Sequence, residues 1–182
     1  MQLALLNFTD DTLNMNYSHH PDDLIKLFNQ CFMHSHQTIL AYGGDEPLYV
    51  PANKEQLYHT IFFAHGFFNS ALHECAHWLI AGKERRQLVD FGYWYVPDGR
   101  TAEQQELFQQ VEVKPQALEW ILAQAAGSRF QCSFDNLHGT AEKHEQFEAA
   151  VTQQMLHYQK HGLPARARLF QQALLSYYQA HT

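Results

Sequence analysis

The chain lacks a Cys-x-x-Cys pair, and its three cysteines, Cys31, Cys75 and Cys132, are far apart and odd in number. That usage argues against a disulfide framework and for a reducing compartment. No apolar run approaches the length of a membrane span. The opening stretch MQLALLNFTDDTLNMN has no basic region ahead of its short apolar run, so it does not read as a signal peptide. A cytoplasmic protein without a membrane partner is therefore expected. Glycine-rich nucleotide loops, internal repeats and low-complexity tracts are missing as well. Positive charge is scarce: 12 Lys and Arg stand against 19 Asp and Glu, a formal net charge of −7. Nucleic acid is not an expected partner, whereas a cationic substrate is electrostatically favoured.

What remains is an ordinary globular composition, 46% apolar and 17% charged over 182 residues. It predicts a loose arm over 1–16 and one domain over 17–182. PDDLIKLFNQCF (21–32) opens with Pro and two acids and continues with Leu24, Leu27, Phe28, Cys31 and Phe32 at helical spacing. QTILAY, PLYVPA and YHTIFFAHG read as short strands, the last passing through Gly66 into a helix over about 67–81. QLVDFGYWYVPDGR is β-like and aromatic. TAEQQELFQQVEVKPQALEWILAQAAG has a helical period broken by Pro115, which predicts two helices meeting near Glu112 or one kinked there. FQCSFDNLHG is a loop, and helices over about 142–160 and 165–179 follow. The fold class expected is α+β, mostly helical with a small sheet.

The third of these helices in chain order is not the informative one; the second is. It carries His73-Glu74-Cys75-Ala76-His77, an H-E-x-x-H pattern. Thirteen histidines make such a pattern arise by chance in about 5% of chains of this composition, so it is suggestive only. Residues four apart on a helix project from one face, about 6 Å apart along the axis, so His73 and His77 can share one ion. Ala71, Leu72, Cys75, Ala76, Trp78, Leu79 and Ile80 make the helix apolar almost all round. Polar groups inside a buried helix need partners, and a metal would satisfy both imidazoles. Two histidines hydrogen-bonded in a core are the competing explanation.

A third ligand should lie downstream. Glu112 sits between Val111 and Val113, 35 residues past His77 (112 − 77), and is favoured; Glu119, on a similar face, competes with it. His65 and His138 are further candidates, as ligands or as their supports. Two histidines and a carboxylate serve both catalytic zinc and oxygen-activating non-haem iron, and spacing does not separate the two.

The segments DEPLYVPA, FAHGFFNSALHECAHWLIAGKERRQLVDFGYWYVPDGR, VEVKPQALEWILAQAAG and DNLHG together resemble the elongation factor P hydroxylase family of bacteria. The resemblance runs from about Asp45 to Gly139 and is looser in the first and last helices. The residues before His19 match nothing in that family. The resemblance implies a zincin-like metal helix and hydroxylation of a lysine of translation elongation factor P already extended by a β-lysyl group. It places the metal ligands on His73, His77 and Glu112. Glu74 also matches, as the catalytic candidate that orients a ligand or handles a proton. Fe(II) is the divalent ion expected, with zinc as an adventitious occupant.

A β-lysyl-lysine side chain is long and cationic and wants aromatic walls and carboxylates. VDFGYWYVPDG supplies Asp90 and Asp98 as substrate-binding candidates beside Phe91, Tyr93, Trp94 and Tyr95, most of which core packing explains equally well. Lys83, Arg85, Arg86 and Arg100 can face an acidic partner, although a solvated helix end accounts for the first three. The alternative function on the same motif is a cytosolic zinc metallopeptidase. No pattern for a 2-oxoglutarate jelly roll is visible, and the electron donor is not legible.

Overall fold

The computed structural model describes residues 19–92, 102–134 and 141–180, and the side chains of 102–106 are not among them. The expected arm over 1–16 lies outside this set. Pro21, with its φ preset for a first helical turn, starts α1 (Pro21–His36), and the His20 ring accepts the Asp22 N–H at 3.4 Å. The helix runs a turn beyond the expected 32 and stops at Gln37, in the left-handed region.

Three short strands follow: β1 (Thr38–Tyr42), β2 (Leu48–Val50) and β3 (His59–Phe63). Their order in the sheet is β1-β3-β2, with β3 parallel to β1 and antiparallel to β2. The central strand buries Thr60, Ile61 and Phe63. After β3 the chain turns through His65 and Gly66, both at positive φ (56° and 67°), and enters α2 (Phe68–Ile80). Glycine suits the second of these positions because it has no Cβ to clash.

The helix α2 is the centre of the molecule. It packs on β3, α1, α3 (Ala102–Ala126) and α5 (Ala165–Gln179), and α4 (Ala141–His161) covers α3 from the other side. Trp78 is fully buried against Phe28 and Phe32, whose ring centroids are 5.2 and 4.9 Å away, and Phe170 extends the cluster. Truncating an aromatic ring buried to this degree costs roughly 3–5 kcal/mol.

Two expectations are corrected or sharpened here. Pro115 neither breaks α3 nor divides it, and one helix runs from Ala102 to Ala126. An interior proline costs about 3 kcal/mol, offset by the buried run Ala117, Leu118, Ile121, Leu122, Ala125 and Ala126 that follows it. The described part of the β-like stretch, 87–92, forms no strand. Arg85–Gln87 and Val89–Gly92 are 3-10 turns, and Asp90 and Phe91 sit at φ 47° and 58°. Tertiary contact overrides β propensity: the Phe91 ring stacks on Tyr49 with centroids 4.3 Å apart, and Asp90 Oδ1 accepts the Tyr49 N–H at 2.8 Å. No helix of the described residues is long and apolar enough to cross a membrane.

Candidate metal centre

His73 and His77 leave α2 on its α3-facing side one turn apart, their ring centroids 4.7 Å from each other. Glu112 comes in from α3 between them, only 3% exposed. Its Oε2 lies 3.3 Å from His73 Nε2 and its Oε1 3.2 Å from His77 Nε2, while the two Nε2 atoms are 3.1 Å apart. Atoms coordinated at ~2.1 Å to one ion stand about 3.0 Å apart at right angles and about 3.4 Å apart at tetrahedral angles. All three separations fall in that interval. One donor atom from each of the three residues lies within 4.8 Å of the others, and among the described residues no further His, Cys, Asp or Glu cluster of this kind is found. The donor set fits a single divalent ion.

Glu119 takes a different place from the one expected of a competing ligand. Its Oε2 is 2.8 Å from His73 Nδ1, on the far side of that ring. With an ion bound, His73 would be neutral, donating its Nδ1–H to Glu119 and presenting the Nε2 lone pair to the ion, the arrangement that supporting carboxylates enforce around metal histidines. Glu119→Ala is therefore expected to weaken metal affinity about 10- to 100-fold. Glu119→Gln, whose carbonyl can still accept from Nδ1–H, should weaken it less. Competition against a chelator reads both, and unchanged affinity in Glu119→Ala removes this role from Glu119.

The electrostatics favour a cation. Burial works against a charged His73, but Glu112 and Glu119 more than reverse this and raise its pKa well above the usual imidazole value. Burial likewise pushes the Glu112 carboxyl up, and the two imidazoles outweigh it and hold the group well below the carboxylate range. A field that holds a proton this firmly also holds a metal ion. Glu74 is raised chiefly by burial; the two histidines pull it back, and Glu112 and Asp90 add to the rise.

Of the remaining candidates, His65 is exposed in the turn before α2 and pairs with Phe67 rather than joining the cluster. His138, Asp98, Tyr93, Trp94, Tyr95 and Arg100 lie outside the described residues. Asp90 is close enough to Glu74 for its charge to act on it, though one oxygen is committed to Tyr49. A cleft of about 670 Å³ opens beside His77 between the end of α2 and the middle of α3. Among the described residues, Lys83, Arg85 and Lys114 line it against a single acid, Glu84.

Gln116 was not singled out from the sequence. It is 2% exposed and grips the following loop, with Oε1 accepting Ser133 N–H at 3.0 Å and Nε2 donating to Ser133 O at 2.9 Å. The available signal was the polar stripe Glu112, Gln116, Glu119, spaced four and three apart beside the apolar residues Ala117, Leu118, Ile121 and Leu122.

Two comparisons with known proteins bear on the site. The elongation factor P hydroxylase family matches residues 27–182. A protein of Haemophilus influenzae described as elongation factor P lysine hydroxylase is 56% identical over 160 residues, covering 88% of this chain and 90% of its own length.

Proposed function

The chain belongs to the elongation factor P hydroxylase family, and on that footing we propose that it hydroxylates a lysine of elongation factor P in its β-lysylated form, at a centre held by His73, His77 and Glu112. The observation that carries the site is the convergence of the three side chains with donor atoms 3.1 to 3.3 Å apart. Both matches are described as hydroxylases and neither as a peptidase. We take the ion to be Fe(II), which supplies the one-electron chemistry needed to activate dioxygen and which d¹⁰ zinc does not provide.

The protein's own groups do the rest. Glu119 fixes the tautomer of His73. Glu74, with its raised pKa, is a stronger base than an exposed carboxylate and is placed to take up or return a proton beside the ligands. Asp90, whose charge reaches Glu74, is the carboxylate that receives the terminal ammonium of an extended lysine, a group too distant to reach from an unmodified one.

Intact-mass analysis of elongation factor P from cells with and without this gene tests the function: the mass of one oxygen atom should disappear with the gene. In vitro, the β-lysylated factor should exceed the unmodified one by more than tenfold in kcat/KM, equivalent to about 1.4 kcal/mol. Asp90→Asn keeps an acceptor for the Tyr49 N–H and removes only charge, so it should erode that preference. Equal turnover of the two forms would sink the assignment of the β-lysyl group.

A further inference from the structure

The cleft beside His77 has a volume of about 670 Å³, within the range of sites that take small organic molecules. Ile80, Ala81 and Gly82, at the end of α2, form one wall, and Val111 and Pro115 of α3 form the other. Its charge is uneven. In a chain of formal net charge −7, the described residues place three cations on this lining, Lys83, Arg85 and Lys114, against Glu84.

Lys83 and Lys114 are both exposed, and among the described residues no carboxylate lies within ion-pair distance of either. Arg85 Nη1 donates to Phe91 O at 3.0 Å, which anchors the third charge beside them. A helix end accounts for Lys83 and Arg85, since cations settle the last carbonyls of α2. It does not account for Lys114, which lies in the interior of α3. The packing of α3 on α2 brings Lys114 to the same cleft as Lys83, 31 residues away (114 − 83). Gly82 keeps the space open, for a Cβ built there would meet nothing within 4 Å.

We propose that this cleft binds a small organic anion, whose carboxylate or phosphate group is held between Lys83 and Lys114. Charges of one sign gathered in a cleft concentrate counter-ions more than the same charges spread over a flat surface. Lysine ammonium groups act as mobile point charges, so they attract either anion without imposing one geometry. The bound molecule lies against His77 and thus beside the metal centre, on other residues than the Glu74 and Asp90 assigned to the lysine substrate. Its binding does not depend on which reaction that centre performs.

The test uses the full chain labelled with ¹⁵N and follows the Gly82 backbone amide resonance. Sodium succinate and sodium phosphate are titrated separately against sodium chloride at matched ionic strength. A saturable shift is expected, with its apparent Kd weakened at least about tenfold in the Lys83→Gln/Lys114→Gln double variant, which loses two charged contacts. Both side chains are exposed, so the core is undisturbed. Lys54→Gln, at an exposed position outside the cleft, removes the same kind of charge and should leave the Kd unchanged. Saturation by succinate alone assigns a carboxylate and by phosphate alone a phosphate group; either, or both, supports the site. No saturable shift with either anion, a Kd unaltered in the double variant, or a Kd weakened as much by Lys54→Gln overturns it.

Discussion

Alanine at His73, His77 or Glu112 is expected to reduce metal content from about one ion per chain to near none and to abolish hydroxylation. The loss should exceed the roughly 10- to 100-fold effect of a supporting residue such as Glu119. The three variants should differ in stability. Glu112→Ala removes a buried carboxylate and leaves two imidazoles whose Nε2 atoms are 3.1 Å apart and can share a proton. His73→Ala instead leaves Glu119, 8% exposed, without the imidazole it faces and Glu112, 3% exposed, with His77 alone. Removing one partner of a buried charge cluster costs about 3–5 kcal/mol, so His73→Ala should melt at the lower temperature. Elemental analysis and thermal unfolding of the purified variants read both quantities. Full metal occupancy in Glu112→Ala would take the third position away from Glu112.

Metal-free protein refilled with Fe(II) should add one oxygen atom to the β-lysylated factor in air when a chemical reductant is present, and protein refilled with Zn(II) should add none. The difference is all or nothing, because zinc has no accessible second oxidation state. Nitrogen and carboxylate donors nonetheless bind Zn²⁺ more tightly than Fe²⁺, so zinc in a purified sample says little about the working ion. Mass spectrometry of the factor decides the matter. Product formed with zinc alone, or without dioxygen, would overturn the iron assignment.

Elements whose signal is local were legible in the chain. The helix over 67–81, the two terminal helices and the three short strands appear within a few residues of their expected bounds, because periodicity and Gly or Pro punctuation act over a few residues. The region around Phe91 was not legible. Val89, Phe91 and their aromatic neighbours favour a strand, yet the stack of Phe91 on Tyr49 and the Asp90 bond to Tyr49 N–H join segments 41 residues apart (90 − 49). A local pattern holds no record of such contacts. Pro115 shows the same limit from the other direction: the sequence allowed two helices or one kinked helix, and the apolar face that follows it holds a single helix.

For the site, the sequence by itself determined that His73 and His77 share a face, since a 3.6-residue repeat leaves two residues four apart no other arrangement. It also offered Glu112, between two valines and favoured over Glu119, and the family resemblance placed a ligand on the same residue. The tertiary structure decided the division of labour between the two glutamates. Both lie on the same stripe of α3, and only the way α3 packs on α2 sets Glu112 against the Nε2 atoms and Glu119 behind the His73 ring. It alone also brought together Lys83 and Lys114, 31 residues apart (114 − 83), at one cleft. Spacing along a helix is fixed by backbone geometry; which groups meet across helices is fixed by how the apolar faces close on one another, a property of the whole core.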